Sequence, residues 1–436
     1  MSLIDARGRD VLDFDRVRER LAGLTHAAQA FGRALALEPS TDFAQVRRLV
    51  AETAEMRALV REAGFGLSHV ADVDAALAEA ARGVPVAALE LRAIADALAA
   101  AAYAARTIRE SEHTPLLRER IAAFRALPNI VARIVDAIDE RGLVLDRASP
   151  ALGRLRRGIA QAQDDARERA AALLRSAKYA RAIQDHIVTV RDGRFVVPIK
   201  AEFGGEVPGI VHDASSSGAT LFVEPLEALE TNNRLRALRA QEEHEVARIL
   251  AELSALAGSE AAQIGIDVDL YVELDLACAR AALAERMNAV APQLVDDAVL
   301  DIHDGRHPLL DARAVPQSLR LDDEVRLLLI SGPNMGGKTV ALKMVGLFVV
   351  MAGCGMHVPA VGTTLGRFTQ VFTDIGDDQS IALNTSTFSA HLQRLAAIVA
   401  GADDRALILI DEVGAGTEPS AGTALAVAVL ERFIAV

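Results

Sequence analysis

Ser331-Gly332-Pro333-Asn334-Met335-Gly336-Gly337-Lys338-Thr339-Val340 is the stretch on which the reading of this chain turns. It follows the apolar run Val325, Leu327, Leu328, Leu329, Ile330 and leads into Ala341-Leu342-Lys343-Met344-Val345, so the sequence predicts a strand, a glycine loop and a helix. Gly332, Gly337, Lys338 and Thr339 satisfy the P-loop pattern. In such a loop the backbone N–H groups cradle phosphates, the lysine reaches the β/γ oxygens and the hydroxyl holds Mg²⁺. From average residue usage, four constrained positions match by chance in roughly 1–2% of chains this long, which makes a plain structural turn the weaker reading. A P-loop alone does not separate a kinase from a GTPase or a mechanical ATPase, so a second half of the site must lie elsewhere.

Leu407-Ile408-Leu409-Ile410-Asp411-Glu412 supplies it. This is a buried-type strand ending in two carboxylates, the form of a Walker B element. Asp411 would position Mg²⁺ through water, and Glu412 would polarise the attacking water as general base. Two acids capping a strand are common by themselves; the P-loop upstream is what gives this pair its weight.

Composition sets the frame. With 436 residues the chain is long enough for two to four domains, and 51% apolar residues suffice for several cores. A net charge of −13 argues against a uniform coat of nucleic acid but leaves room for a local basic face. Cys278 and Cys354 stand far apart in no metal-type spacing, which fits a reducing cytoplasm, and no zinc site is expected. The N-terminus offers no signal-peptide core, and Met344 to Met351 is too short to span a bilayer, so a soluble cytoplasmic protein with no membrane partner is expected.

Taken in order, residues 1–150 read as a helical core of about six amphipathic helices punctuated by Pro39, Gly83, Pro115, Pro128 and Pro150. Residues 151–262 read as two long lever helices carrying an antiparallel β-module at 187–224. The first lever, expected from Ala151 to about His186, is rich in arginine; a solvated strut is the commoner role for such a helix, and phosphate contact the rarer one. Residues 263–295 return as helix toward the core, and 296–436 alternate short strands with helices as an α/β domain. The fold class is therefore multidomain α plus α/β, ending in a P-loop ATPase domain.

The Gly-Pro-Asn-Met-Gly-Gly-Lys-Thr loop, Ser386-Thr387-Phe388 and Asp411-Glu412-Val413-Gly414-Ala415-Gly416-Thr417 together resemble the ATPase domain of the MutS family, and Gly305-Arg306-His307-Pro308 is similar to the approach to that domain. The segments Arg194 to Lys200, Gly209 to Asp213 and Ser215 to Pro225, with Leu12 to Asp15 and Pro39 to Asp42, resemble the family's second bacterial paralogue branch, MutS-two. The resemblance covers nearly the whole chain. It implies ATP and Mg²⁺ as cofactors, with Gly332, Pro333, Asn334, Met335, Gly336, Gly337, Lys338 and Thr339 around the nucleotide, Thr339 and Asp411 at the metal, and Asp411 and Glu412 doing the chemistry. It further implies a homodimer in which Ser386 meets the γ-phosphate held by the partner. The lever helices and β-module become a clamp on nucleic acid: branched DNA, in suppression of recombination, or alternatively the rRNA of collided ribosomes that the same ATPase would split. A third reading is a non-catalytic binding and dimerisation module.

Two departures accompany the resemblance. The one Phe-x-Glu run, Phe222-Val223-Glu224, lies inside a β-segment and not in a leading domain, so mismatch recognition is not expected. The sequence stops one helix after the second motif, where the family continues with a switch histidine, a linker and a small nuclease-type (Smr) domain. A truncated ATPase of low turnover, without the endonuclease, is the expectation.

Overall fold

The structure, a computed structural model, describes residues 2–310, 314–332, 337–376, 387–414 and 418–435, with the backbone alone at 387–390. The fold is mixed helical with small, largely antiparallel sheets. Two compact units emerge: one of residues 73–99 and 127–265, the other of 1–72, 100–126 and 266–436. Residues 1–150 contribute to both and hold eight helices where six were expected, because short turns such as Ala6–Val11 and Pro115–Arg120 escape a periodicity reading.

In the first unit the helices Pro150–Leu174 and Leu226–Ser259 pack along one another, with Ile159, Ala162 and Leu235 buried between them. Ser149 caps the first through the Leu152 N–H, and Pro150 opens it. It ends at Leu174, short of the expected His186. The reason lies in the sheet: Ile183 bridges Ile199, the Gln184 N–H donates to Pro198 C=O at 3.0 Å and the Lys200 N–H to Ala182 C=O at 2.8 Å, so this backbone is bound as an edge to β-structure.

That structure is a four-stranded antiparallel sheet of β1 (Thr189–Arg191), β2 (Arg194–Lys200), β3 (Gly209–Ala214) and β4 (Thr220–Pro225), in the order β1-β2-β4-β3. Val197, Ile199 and Val223 of the sheet pack on Ala170, Leu173 and Ala228 of the two helices. Glu224, fully buried, accepts from Arg194 Nη1 at 2.8 and 3.0 Å, from Asn232 Nδ2 at 2.8 Å and pairs with His212 Nε2 at 2.5 Å. The Phe-x-Glu glutamate thus spends its carboxylate inside the module, while Arg191 stacks on the Phe222 ring at 4.1 Å. Arg156 is spent likewise on Glu242 and Asp146, whereas exposed Arg154, Arg167, Arg175 and Arg181 form no ion pair among the described residues.

Among the described residues, the second unit holds two sheets. β5 (Gln293–Leu294), β8 (Gly362–Leu365), β6 (Leu300–Gly305) and β7 (Gln317–Leu321) form one in the order β5-β8-β6-β7; β9 (Gln370–Asp374) and β10 (Ala406–Ile410) form a parallel pair. The apolar run before the glycine loop corrects the sequence reading. Residues 325–330 make no strand, and Leu329 is 77% exposed. Such a run becomes a strand only where another strand pairs with it, and among the described residues none does. The helix after the loop, Lys338–Gly353, is as expected and is buried on every face from Met344 to Gly353.

Candidate functional site

The site is built where three elements end together. Gly337, at φ 80°, caps the Lys338–Gly353 helix in a left-handed conformation that costs a glycine nothing, and it aims the first free N–H groups of the helix out of the loop. Those groups and the helix dipole favour an anion. Lys338 Nζ donates to the Gly332 C=O at 2.6 Å, linking the start of the helix to the residue that opens the glycine loop. Thr339 Oγ1 donates to Asp411 Oδ2 at 2.6 Å and so ties this helix to the end of β10.

β9 and β10 run parallel with Asp374 opposite Ile410, which brings Asp374, Asp411 and Glu412 to the carboxyl edge of the pair, the edge at which open α/β sheets bind ligands. The Asp411 N–H donates to the Asp374 C=O at 2.9 Å. Glu412 then sits at φ 53°, a left-handed conformation unusual for a side-chain-bearing residue. Gly414, at φ 84°, completes the turn: a Cβ there would lie 2.5 Å from the Gly422 carbonyl.

Of the residues singled out in the sequence, Gly332, Gly337, Lys338, Thr339, Asp411 and Glu412 are brought to this edge. Pro333, Asn334, Met335, Gly336 and Ser386 lie outside the described residues. A hydroxyl and a carboxylate in contact are the hard oxygen donors Mg²⁺ prefers, and no cluster of three acidic, histidine or cysteine ligands exists among the described residues. That sparse set suits Mg²⁺, which is commonly held by one or two protein oxygens with substrate phosphates and water completing the shell.

Sequence reasoning missed a neighbouring cluster. Asp374, 1% exposed, accepts from His391 Nδ1 at 3.0 Å and from Arg394 Nε at 2.6 Å, both on the helix Thr387–Gly401. The available signal was the pair of strand-ending aspartates, 374 and 411, with a histidine and an arginine three residues apart on one helix face between them in sequence.

Two other histidines are structural. Burial pushes His307 and His357 down to about 4. His307 Nδ1 accepts from the Leu309 N–H at 3.3 Å, and Arg57 donates to His357 Nδ1 at 2.8 Å, as a neutral ring allows. Their folded values lie below the ordinary 6.5, so the unfolded chain binds protons that the folded chain refuses. Their contribution is whole above 6.5 and is lost as pH falls from there toward 4. The thermal midpoint of unfolding is expected to be lower at pH 5 than at pH 7, and His357→Gln should flatten the difference; an unchanged slope in that variant would contradict the assignment. Cys278 and Cys354 are buried with thiols pushed up to about 12, which leaves them unreactive. No helix among the described residues is long and apolar enough to cross a membrane.

Residues 328–436 match MutS domain V. Over the whole chain, similar curated proteins include Endonuclease MutS2 of Pelotomaculum thermopropionicum, 43% identical over 436 residues that cover 99% of this chain and 55% of that protein. The Endonuclease MutS2 of Symbiobacterium thermophilum is 43% identical over 437 residues, covering 99% and 54%, and that of Thermomicrobium roseum 42% over 442 residues, covering 97% and 56%. The chain spans about half the length of the curated relatives it matches. With 43% identity over 99% of its length, the chain belongs to the MutS family, in its MutS2 branch.

Proposed function

We propose that this chain is the ATP-dependent nucleic-acid clamp of a MutS2-type protein, with residues 296–436 as its P-loop ATPase domain. The observation that carries the reading is the 2.6 Å bond from Thr339 to Asp411, which joins the glycine-loop helix to the carboxylate strand in the arrangement a Mg²⁺-nucleotide needs. The loop from Gly332 to Thr339 binds the phosphates, Thr339 and Asp411 hold Mg²⁺, and Glu412 takes the proton of the attacking water. Mg²⁺ when bound would neutralise phosphate charge. Two copies complete each site, Ser386 of one facing the nucleotide of the other.

The paired helices with their β-module form the arm that meets nucleic acid, for which the free arginines Arg154, Arg167, Arg175 and Arg181 offer phosphate contacts. Recognition by backbone charge and shape favours branched DNA, consistent with a role against recombination intermediates. Binding to a four-way junction is expected to exceed binding to linear duplex, to treat matched and mismatched duplexes alike and to fall steeply with salt. Titration of labelled junction, matched duplex and mismatched duplex at several salt concentrations checks this. A preference for the mispair would refute the reading, and co-sedimentation with stalled disomes in place of junction binding would assign the clamp to ribosomes and their rRNA.

A further inference from the structure

Beside the carboxylate edge lies a cavity of ≈ 10 Å³ lined by Asp374, His391, Glu412 and Gly414, with Leu392 and Leu395. That is about the least room a single ordered water requires, and the site is polar enough to hold one. The imidazole in its wall is oriented from behind: Nδ1 lies 3.0 Å from Asp374 Oδ2, and Nε2 makes no hydrogen bond to any described residue. Arg394, at 2.6 Å, matches the charge of Asp374, so a neutral ring suffices as the second donor to that carboxylate. A carboxylate behind an imidazole fixes its tautomer, and here it leaves the lone pair of Nε2 as the ring's free acceptor.

We infer that His391 is a further catalytic residue, holding the water that Glu412 deprotonates; the inference rests on the assignment of Glu412 as general base. A water in this cavity has two acceptors, the Glu412 carboxylate and His391 Nε2. Donating one hydrogen to each turns its lone pair away from both, toward the open side of the site. In hydrolysis the water oxygen bonds to the γ-phosphorus while the bond from phosphorus to the β,γ-bridging oxygen breaks. ADP leaves with that electron pair, and the proton lost by the water passes to Glu412. His391 gains and loses nothing; it supplies orientation, the term by which positioned groups convert a collision into an ordered attack. The same Asp374 whose side chain orients the ring also accepts from the Asp411 N–H through its carbonyl, so ring and base are referenced to one residue.

ATP turnover and ATP affinity of the chain, with thermal midpoints alongside, are to be measured for the parent, His391→Asn, His391→Gln, Glu412→Gln and the double variant Glu412→Gln/His391→Asn. Asn keeps a donor where Nδ1 stands and lacks Nε2; Gln reaches the place of Nε2 and gives up the bond to Asp374. His391→Asn is expected to lower kcat about tenfold with affinity held within about twofold, and His391→Gln to recover part of the loss. The double variant should be no slower than Glu412→Gln alone, because the two residues act on one water. Parental kcat in His391→Asn, full rescue by Asn but not Gln, a midpoint lowered equally in both variants, or losses that multiply in the double variant would each overturn the inference and leave Glu412 standing. Parental turnover in Glu412→Gln, or none in the parent, overturns the base assignment itself and this inference with it.

Discussion

Glu412→Gln is expected to bind Mg-ATP as the parent does and to hydrolyse it about 10²–10⁴-fold more slowly, the scale on which loss of a positioned general base is felt. The amide keeps the size of the side chain and the strained φ of 53° at its root, so the turn that follows β10 should be preserved. What it removes is the proton acceptor. Single-turnover hydrolysis of labelled ATP, set beside equilibrium binding of the same nucleotide, separates the two effects: binding kept and chemistry lost is the expected pattern. Hydrolysis at the parental rate would move the base to another residue.

Lys338→Ala is the counterpart, expected to fail one step earlier. In the proposed site the ammonium is the charge opposite the β/γ-phosphates, and its bond to the Gly332 carbonyl at 2.6 Å places it at the glycine loop. Charge-assisted hydrogen bonds are worth about 1.5–3 kcal/mol each. A lysine that makes two of them therefore weakens ATP binding by about 10²-fold or more when it is removed. Isothermal titration of parent and variant with Mg-ATP tests this directly. Equal affinities would mean that the loop does not bind nucleotide through this residue.

These two variants address residues that were legible in the sequence, and the reason is local. A glycine that must adopt φ 80°, a lysine and a hydroxyl at the first turn of a helix, and two acids at a strand end are set by short-range backbone rules that spacing reveals. The four strands of the β-module were legible on the same ground, through alternation and glycine-rich turns. What could not be read depended on partners far off in the chain. Nothing in Val325 to Ile330 says whether another strand will pair with it, and the apolar pattern reads the same in either case. The lever helix ends at Leu174 because Ala182 and Ile183 are claimed by β2, a competition invisible to helix propensity. Asp374 and His391 were hidden for the same reason, being joined only once β9 and the helix Thr387–Gly401 are folded against each other.

The helix Lys338–Gly353 has a consequence for how the proposed ATPase would draw work from nucleotide. Hydrocarbon surrounds it from Met344 onward, and close-packed interiors yield little under load. One wall of the proposed nucleotide site would therefore behave as an anvil. In the proposed ATPase reading, strain set up by phosphate cleavage is not taken up by sliding that helix, because its burial on every face opposes slip. In the proposed cycle, displacement is taken up on the opposite side, by the strand-end turn at Asp411 to Gly414, which the Thr339 hydroxyl ties to the helix through the Asp411 carboxylate. Breaking and remaking that bond would be a small, reversible stroke, and the proposed clamp, cycling many times on a marginally stable fold, would be better served by a weak latch on a rigid frame than by a frame that bends.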